Sequence, residues 1–215
     1  MTQRIVLASN NAGKVREFNQ LLAGSEFEVI PQSEFQVEEI EETGLSFVEN
    51  ALLKARNAAQ HTGLPAIADD SGLEVDALDG APGIYSARYA GAGASDRQNL
   101  EKLLEALKDV GDEDRNARFQ CLMVYLRHPS DPTPMIFQGT WEGRILHAPQ
   151  GNNGFGYDPV FYVPQQQCAS AELASDLKNS LSHRGQALRQ LIAVLRGTVY
   201  LTKHHHGVLS PHDDV

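Results

Sequence analysis

The sequence predicts a protein of the α/β class, because strand-like and helix-like segments alternate along the chain. Continuous apolar runs, such as residues 5–8, are typical of buried strands. Apolar side chains three or four residues apart, as in residues 15–22, indicate amphipathic helices. With 215 residues, the chain is long enough for one domain, or for two closely joined lobes, with a sizeable core.

Composition narrows the possible partners. A formal net charge of −10 argues against binding to a nucleic-acid backbone, which requires a basic surface. A single nucleotide stays possible, because a few lysines and a metal ion can neutralise one triphosphate. The first residues lack the apolar stretch of a signal peptide, and no run reaches membrane length. We therefore expect a cytoplasmic protein without a membrane partner.

Neither Cys121 nor Cys168 has a metal-binding spacing, and Cys121 is expected to be buried.

A polar turn separates the first predicted strand, residues 5–8, from a helix that is expected to stop at Gly24. A strand, a glycine-containing turn and a helix present free N–H groups and a positive dipole end to an anion. The turn is not a Walker loop, because GxxxxGK[ST] is absent, and an ordinary strand-to-helix connection stays open. The residues of the turn are Ser9, Asn10, Asn11, Ala12, Gly13 and Lys14.

A second strand, residues 27–30, precedes an acidic connection and a long helix. The connection includes Glu41, and a charge run of this kind is usually solvated. Ser46 and Glu49 have the spacing of a capping box, which predicts a helix from there to about His61. Lys54 lies on the polar stripe of that helix, and such a stripe normally faces water.

The central stretch, residues 64–91, contains two adjacent carboxylates. An apolar run leads into Asp69 and Asp70, which Ser71 and Gly72 follow, so the sequence predicts that a buried strand ends there. Neighbouring side chains on a strand point to opposite faces, so only one carboxylate need face a given cleft. Such a carboxylate is well placed to hold Mg²⁺, although a plain surface turn has the same composition.

Further along, a capped helix begins at Ser95, and residues 118–126 read as a long strand. A hairpin with its turn at Gly143 is predicted next, with Trp141 as a packing residue. Residues 149–164 read as a flexible lid or as a simple loop. The glycines of this stretch permit close backbone approach, and Phe155 and Tyr157 offer aromatic surfaces.

The last predicted elements are two helices and a tail. A short helix, residues 171–181, carries Lys178. Ser182 caps a final helix that should end at Gly197, which leaves residues 198–215 as a flexible tail. His183 and Arg184 fall in the first turn of the final helix, where positive charge opposes the helix dipole. A local misfit of this kind is typical of a functional site.

Five segments resemble the inosine/xanthosine triphosphate pyrophosphatase family, in particular its bacterial members. They occur in the family's order and span roughly residues 4–196. The family usually has Thr-Gly-Asn at the first of them, where this chain has Ser9, Asn10 and Asn11. The segments are SNNAGK at 9–14, EETGLSFVENALLKA at 41–55, ADDSGLEVDALDGAPGIYSARYAG at 68–91, GFGYDP at 154–159 and SHRGQAL at 182–188.

The resemblance implies a fold and an activity. The fold would be two lobes around a long central mixed β-sheet with flanking helices, with the active-site cleft between the lobes. Residues 1–197 would be one domain of a homodimer, with the nucleotide as its small-molecule substrate. The activity would be hydrolysis of ITP, dITP and XTP to the monophosphate and pyrophosphate, which removes deaminated purine nucleotides from the pool.

The resemblance also assigns roles to residues. Mg²⁺ would be held by Glu41 and Asp70, and Asp70 or the metal alone would activate water. Lys14 and Lys54 would join Asp70 as catalytic residues. The substrate contacts would be Ser9, Asn10, Asn11, Ala12, Gly13, Lys14, Ser71, Phe155, Gly156, Tyr157, Asp158, Lys178, His183 and Arg184. Two other functions stay open at this point, a nucleotide sensor without turnover and a phosphohydrolase that releases orthophosphate.

Overall fold

The computed structural model describes residues 2–10 and 12–205, and its centre is one mixed sheet. The strands are β1 Gln3–Leu7, β2 Phe27–Pro31, β3 Ala66–Val75, β4 Asn116–Leu126, β5 Met135–Ile145, β6 Phe161–Val163 and β7 Cys168–Ala169. The sheet order is β2-β1-β3-β4-β5-β6-β7. β1 is parallel to both of its neighbours, and every later pair is antiparallel.

Helices cover both faces of this sheet, which confirms the α/β class and the long mixed sheet. They are α1 Ala12–Leu21, α2 Phe47–Thr62, α3 Asp96–Ala106, α4 Ser175–Leu181 and α5 His183–His205. On one face, α1 and α5 bury Phe18 and Leu191 against Ile67 of β3. On the other face, α2 packs alanines such as Ala55 against Ala68 of the same strand.

A third apolar cluster lies further along the sheet, with α3. It joins Leu103 of α3 to Leu73, Trp141 and Phe161. Trp141 is only 6% exposed and its ring centroid lies 5.3 Å from that of Phe161. The prediction that Trp141 is a packing residue is therefore confirmed.

Strand β3 is longer than the sequence predicts. It pairs with β4 continuously from Ala66 opposite Leu126 to Val75 opposite Ala117, so it does not end at Asp69. The antiparallel partner supplies backbone hydrogen bonds along the whole strand, and this outweighs the turn tendency of Asp-Ser-Gly. Gly72 permits the close approach of a neighbouring turn, since a Cβ there would lie 2.3 Å from the Gly83 carbonyl oxygen.

Three other boundaries differ from the predictions. Gly143 lies inside the continuous strand β5 instead of at a hairpin turn, and a Cβ there would lie 2.5 Å from the Phe161 ring. The helix predicted at residues 171–181 divides into a 3₁₀ turn, Ser170–Glu172, and α4. Helix α5 continues past Gly197 to His205, because one glycine costs a helix only about 1 kcal/mol. The rest of the predicted tail, residues 206–215, lies outside the described residues.

Candidate active site

Asp69 and Asp70 lie side by side in the middle of β3 and meet opposite layers of the protein. Asp69 contacts Lys14 of α1 and Arg184 of α5, whereas Asp70 contacts Lys54 of α2. This is the alternation that strand geometry requires. The two carboxylates therefore have separate surroundings, although they are neighbours in the chain.

A polar cavity lies beside this point of β3. Lys54 Nζ lies 2.7 Å from Glu42 Oε1 and 3.5 Å from Asp70 Oδ1. Arg88 Nη1 lies 3.4 Å from Glu42 Oε2. Lys54 thus faces a cleft, although the polar stripe of a helix normally faces water. The lining of this polar cavity includes Ser9, Lys14, Glu39, Glu42, Lys54 and Asp69.

The carboxylate beside Lys54 and Asp70 is Glu42, whereas the resemblance implies its neighbour Glu41 as the second metal ligand. Glu41 is exposed to solvent, whereas Glu42 is partly buried and bound by two cations. Neighbouring side chains in an extended segment point to opposite sides, so only one of these glutamates can face Lys54. The family segment located the acidic pair, but it could not show which member turns inward.

Electrostatics distinguish the two carboxylates that contact Lys54, namely Asp70 and Glu42. Burial raises the pKa of Asp70, and the nearby Glu42 charge raises it further, so Lys54 offsets these effects only in part. Burial also opposes ionisation of Glu42, but Lys54 and Arg88 outweigh it and lower the pKa of that carboxyl. Asp70 is therefore the carboxylate better suited to accept a proton.

The surroundings of Asp70 suit a cation. Its Oδ2 atom is buried and makes no well-aligned hydrogen bond within the described residues, although Asn50, whose Nδ2 is likewise unpaired, lies near enough to lower the pKa of Asp70. An uncompensated carboxylate oxygen is costly to bury, and a bound cation would offset that cost. Within residues 2–10 and 12–205, no three His, Cys, Asp or Glu side chains form a complete metal cluster. Mg²⁺ suits such a partial set, because it usually keeps several waters and binds substrate phosphates.

The polar turn after β1 adjoins the polar cavity. Ser9 and Lys14 line it, and Asn10 Nδ2 donates a hydrogen bond of 3.2 Å to Glu39. Helix α1 begins at Ala12, so Gly13 and Lys14 lie in its first turn. Asn11 lies outside the described residues.

A second cavity, which we call the aromatic cavity, adjoins the later residues of β3. It brings together most of the remaining predicted substrate contacts. Phe155 is 67% exposed, and Lys178 Nζ lies 4.9 Å from its ring centroid. The lining includes Ser71, Phe119, Phe155, Gly156, Tyr157, Asp158, Lys178, His183 and Arg184.

Asp158 organises the loop that carries Phe155. Its buried carboxylate accepts hydrogen bonds from the Phe155 backbone N–H at 2.8 Å and from Ser170 Oγ at 2.9 Å. Lys178 donates a further bond to it. The Tyr157 hydroxyl anchors the same loop by donating to the Ser86 carbonyl oxygen at 2.8 Å. With these contacts made within the chain, Asp158 is placed to shape the cavity wall.

His183 and Arg184 begin α5, whose first turn Ser182 caps by accepting a hydrogen bond of 3.1 Å from the Gly185 N–H. The His183 ring stacks on Phe119 at 4.8 Å between centroids, with 12° between the planes. Burial, with Arg184 and Lys178 nearby, lowers the pKa of His183 to about 3. His183 is therefore neutral at neutral pH and adds no charge against the helix dipole, which corrects that part of the sequence interpretation.

Several residues of the site are absent from the sequence-based set of contacts. Besides Glu39, Arg88 and Phe119, they are Glu42, Asn50 and Asp69, which are buried or partly buried on β3 or next to it. Glu42 and Asp69 were each visible in the sequence as one half of an adjacent acidic pair. Asn50 is fully buried and accepts the Gly44 N–H at 2.8 Å, so only its tertiary surroundings distinguish it from a surface helix residue.

The fold and the two adjoining cavities define a class of site. One end is charged and the other is lined by aromatic rings, which suits a ligand with an anionic part and a flat ring. The model of the Ham1 family matches residues 5–194, and the chain belongs to this family. This confirms the family resemblance that the five segments indicate.

No helix within the described residues is long and apolar enough to cross a membrane.

Relatives cover nearly the whole chain. A protein of Photorhabdus laumondii named dITP/XTP pyrophosphatase is 60% identical over 194 residues, which are 90% of this chain and 98% of the relative. A Yersinia pestis protein of the same name is 62% identical over 194 residues, with 90% and 98% covered.

Solved structures agree with the fold. A HAM1 protein from Coxiella burnetii superposes with a TM-score of 0.89 at 54% identity, covering 91% of this chain and 100% of that one. A nucleoside-triphosphatase / dITP/XTP pyrophosphatase from Mycobacterium abscessus gives a TM-score of 0.75 at 41% identity, covering 88% and 98%.

Proposed function

We propose that this protein hydrolyses deaminated purine nucleoside triphosphates, namely ITP, dITP and XTP, to the monophosphate and pyrophosphate. The observation that carries the proposal is the junction of a charged cavity and an aromatic cavity at Asp69–Ser71 of β3. Such a junction accommodates a triphosphate on one side and a purine on the other. The names of the relatives, dITP/XTP pyrophosphatase, support the same substrates.

In the proposed reaction, water adds across the anhydride between the α- and β-phosphates. Asp70 accepts the proton of the attacking water, since its raised pKa favours proton uptake. Lys14 and Lys54 stabilise the charge that develops on the phosphate oxygens, because ammonium groups held in a partly buried cleft act in low dielectric. Ser9, Gly13 and the first turn of α1 contribute polar groups on the phosphate side.

Mg²⁺ is the cofactor that fits this arrangement. Asp70 and Glu42 would hold it, because they supply two carboxylates near an unpartnered buried oxygen. When bound, the ion would draw charge away from the phosphate oxygens. Lys54 lies between the same carboxylates and would keep their mutual repulsion low before the substrate arrives.

The aromatic cavity would select the base. Phe155 offers a face for stacking, which does not depend on base identity. Hypoxanthine and xanthine carry a 6-keto oxygen that Arg184 can hydrogen-bond, whereas adenine presents an amino group there. Guanine shares the 6-keto oxygen, so its exclusion requires another contact near its 2-amino group.

We also propose that the protein acts in the cytoplasm as a homodimer. The two cysteines are free thiols, which is compatible with a reducing compartment. Size-exclusion chromatography with light scattering measures the oligomeric state directly.

The deciding experiment supplies ITP with Mg²⁺ and measures pyrophosphate and orthophosphate separately. Pyrophosphate in a 1:1 ratio to the monophosphate, with no orthophosphate, is the expected result. Orthophosphate release would favour a different phosphohydrolase. Tight ITP binding with neither product would favour a sensor. Omission of Mg²⁺ from the same assay tests the cofactor.

A further inference from the structure

Asp69 is a buried carboxylate with two cationic partners from different helices. It is 6% exposed, and both of its oxygens form hydrogen bonds. Lys14 Nζ of α1 donates to them at 2.8 and 2.9 Å, and Arg184 Nη2 of α5 donates to Oδ2 at 3.1 Å. The proposed reaction gives Asp69 no chemical step. We call this group the ion triad.

The ion triad crosses the boundary between the two cavities. Lys14 and Asp69 line the polar cavity, whereas Arg184 lines the aromatic cavity. One carboxylate therefore holds a cation that faces the phosphates and a cation that faces the base. A ligand that changes the hydrogen bonds of one cation therefore changes how many Asp69 carboxylate oxygens are available to the other cation.

Packing alone does not require a charge at this position. Asp69 shares its face of β3 with Ile67 and lies opposite Met123 of β4, and both of these side chains are in the apolar core. Asp69 is 6% exposed, so its charge is costly to desolvate, and the bonds from Lys14 and Arg184 offset that cost. Buried ion groups can often be replaced by apolar residues without loss of stability. The three charges are therefore better explained by a role in ligand binding than by a role in stabilising the fold.

We propose that Asp69 is a positioning residue that couples the cavities, so that an anion in the polar cavity raises the affinity of the aromatic cavity for a purine. The inference rests on the proposed function. An anion that accepts hydrogen bonds from Lys14 leaves both Asp69 oxygens to Arg184. The guanidinium is then held more firmly in one orientation. Coupling of this kind is reciprocal, so the purine also strengthens binding of the anion.

Calorimetry with two separate probes tests the coupling. The affinity for inosine is measured without and with saturating pyrophosphate. In the unmodified protein, pyrophosphate should raise inosine affinity about fivefold or more, a common size for coupled sites. In Asp69→Asn, the ratio of the two affinities should fall towards one. The uncharged amide forms no ion pair with Lys14 or Arg184, so release of Lys14 cannot strengthen an ion pair with Arg184.

Asp131→Asn is the matched control. Asp131 is also a buried aspartate paired with an arginine, Arg127, but it lies in the connection between β4 and β5, outside the lining of both cavities. This variant should keep the full effect of pyrophosphate, even if its melting temperature falls. A structural role of Asp69 would instead make the two variants behave alike.

Two results would overturn the coupling. One is an unmodified protein in which pyrophosphate leaves inosine affinity unchanged although ITP is hydrolysed. The other is an Asp69→Asn variant with undiminished coupling. If that variant does not fold, Asp69→Glu replaces it, since one added methylene displaces the charge and should reduce the ratio; unreduced coupling there also counts against the proposal. Failure of the unmodified protein both to bind inosine and to hydrolyse ITP would instead refute the proposed function, and the coupling with it.

Discussion

The two cavities differ in the kind of polar group that they leave without a partner. In the polar cavity, Lys54 is paired with Glu42 and Lys14 with Asp69. In the aromatic cavity, His183 Nδ1 and Arg184 Nε are buried without a hydrogen-bond partner in the described part of the chain. A cation would give Asp70 Oδ2, which is also buried unpaired beside the polar cavity, a partner, whereas a ligand with hydrogen-bonding atoms would do so in the aromatic cavity. Under the proposed function, turnover belongs to the first cavity and discrimination between bases to the second.

The largest expected effect is for Asp70→Asn, beside the polar cavity at Lys54. The amide keeps the shape of the carboxylate but binds Mg²⁺ poorly and cannot accept a proton, so kcat on ITP should fall about a hundredfold or more. Steady-state kinetics at saturating Mg²⁺ measure this. Circular dichroism should show an unchanged fold. A near-normal kcat would remove Asp70 from the mechanism.

A smaller effect, on selectivity, is expected in the aromatic cavity for Arg184→Ala. Loss of the cationic donor should reduce the ratio of kcat/KM for ITP to that for ATP, because a charged hydrogen bond contributes about 1.5–3 kcal/mol, or roughly tenfold to a hundredfold. The matched variant Phe155→Ala should weaken both substrates alike. If Arg184→Ala left the ratio unchanged, other residues would read the base.

The adjacent glutamates, Glu41 and Glu42, should differ in their effect on activity. Glu42→Gln should lower kcat/KM about tenfold, since it removes a charge that Lys54 contacts at 2.7 Å, whereas Glu41→Gln should stay near normal. Titrating Mg²⁺ in both variants checks the prediction, because only Glu42→Gln should need more metal. The opposite order would return Glu41 to the site.

The smallest effect concerns stability and arises in the aromatic cavity. Burial, together with Arg184 and Lys178, lowers the pKa of folded His183 to about 3, while Asp69 opposes the shift only in part. The unfolded chain has a His pKa near 6.5 and so binds the proton first as pH falls. The contribution of His183 to the free energy of unfolding is therefore fully present above about pH 7. It declines below pH 6.5, by about 1–2 kcal/mol at pH 5.

Urea unfolding at pH 7 and pH 5 measures that loss. His183→Gln cannot bind the proton, so its stability should change less between the two values. An equal change in both proteins would show that other groups cause the acid sensitivity.

Local features of this chain could be predicted without the fold. Ser46 accepts the Glu49 N–H and Ser95 forms a full capping box, because a cap depends on residues only three apart. The burial of Cys121 followed from an apolar run, and burial raises the pKa of its thiol to about 12. The family segments also located most of the cavity lining, since they mark the chain where it meets the ligand.

Features that depend on distant residues were decided by the tertiary structure. Asp69–Gly72 has the composition of a turn, yet β4 pairs with all of β3 and keeps it extended. The choice between Glu41 and Glu42 depended on the position of Lys54, and the role of Asp69 on α1 and α5 reaching it from two directions. The sequence by itself determined which side chains could carry the chemistry. Only the fold determined their partners, because charge and burial depend on neighbours that can lie far apart in the chain, as Asp69 and Arg184 do across 115 residues.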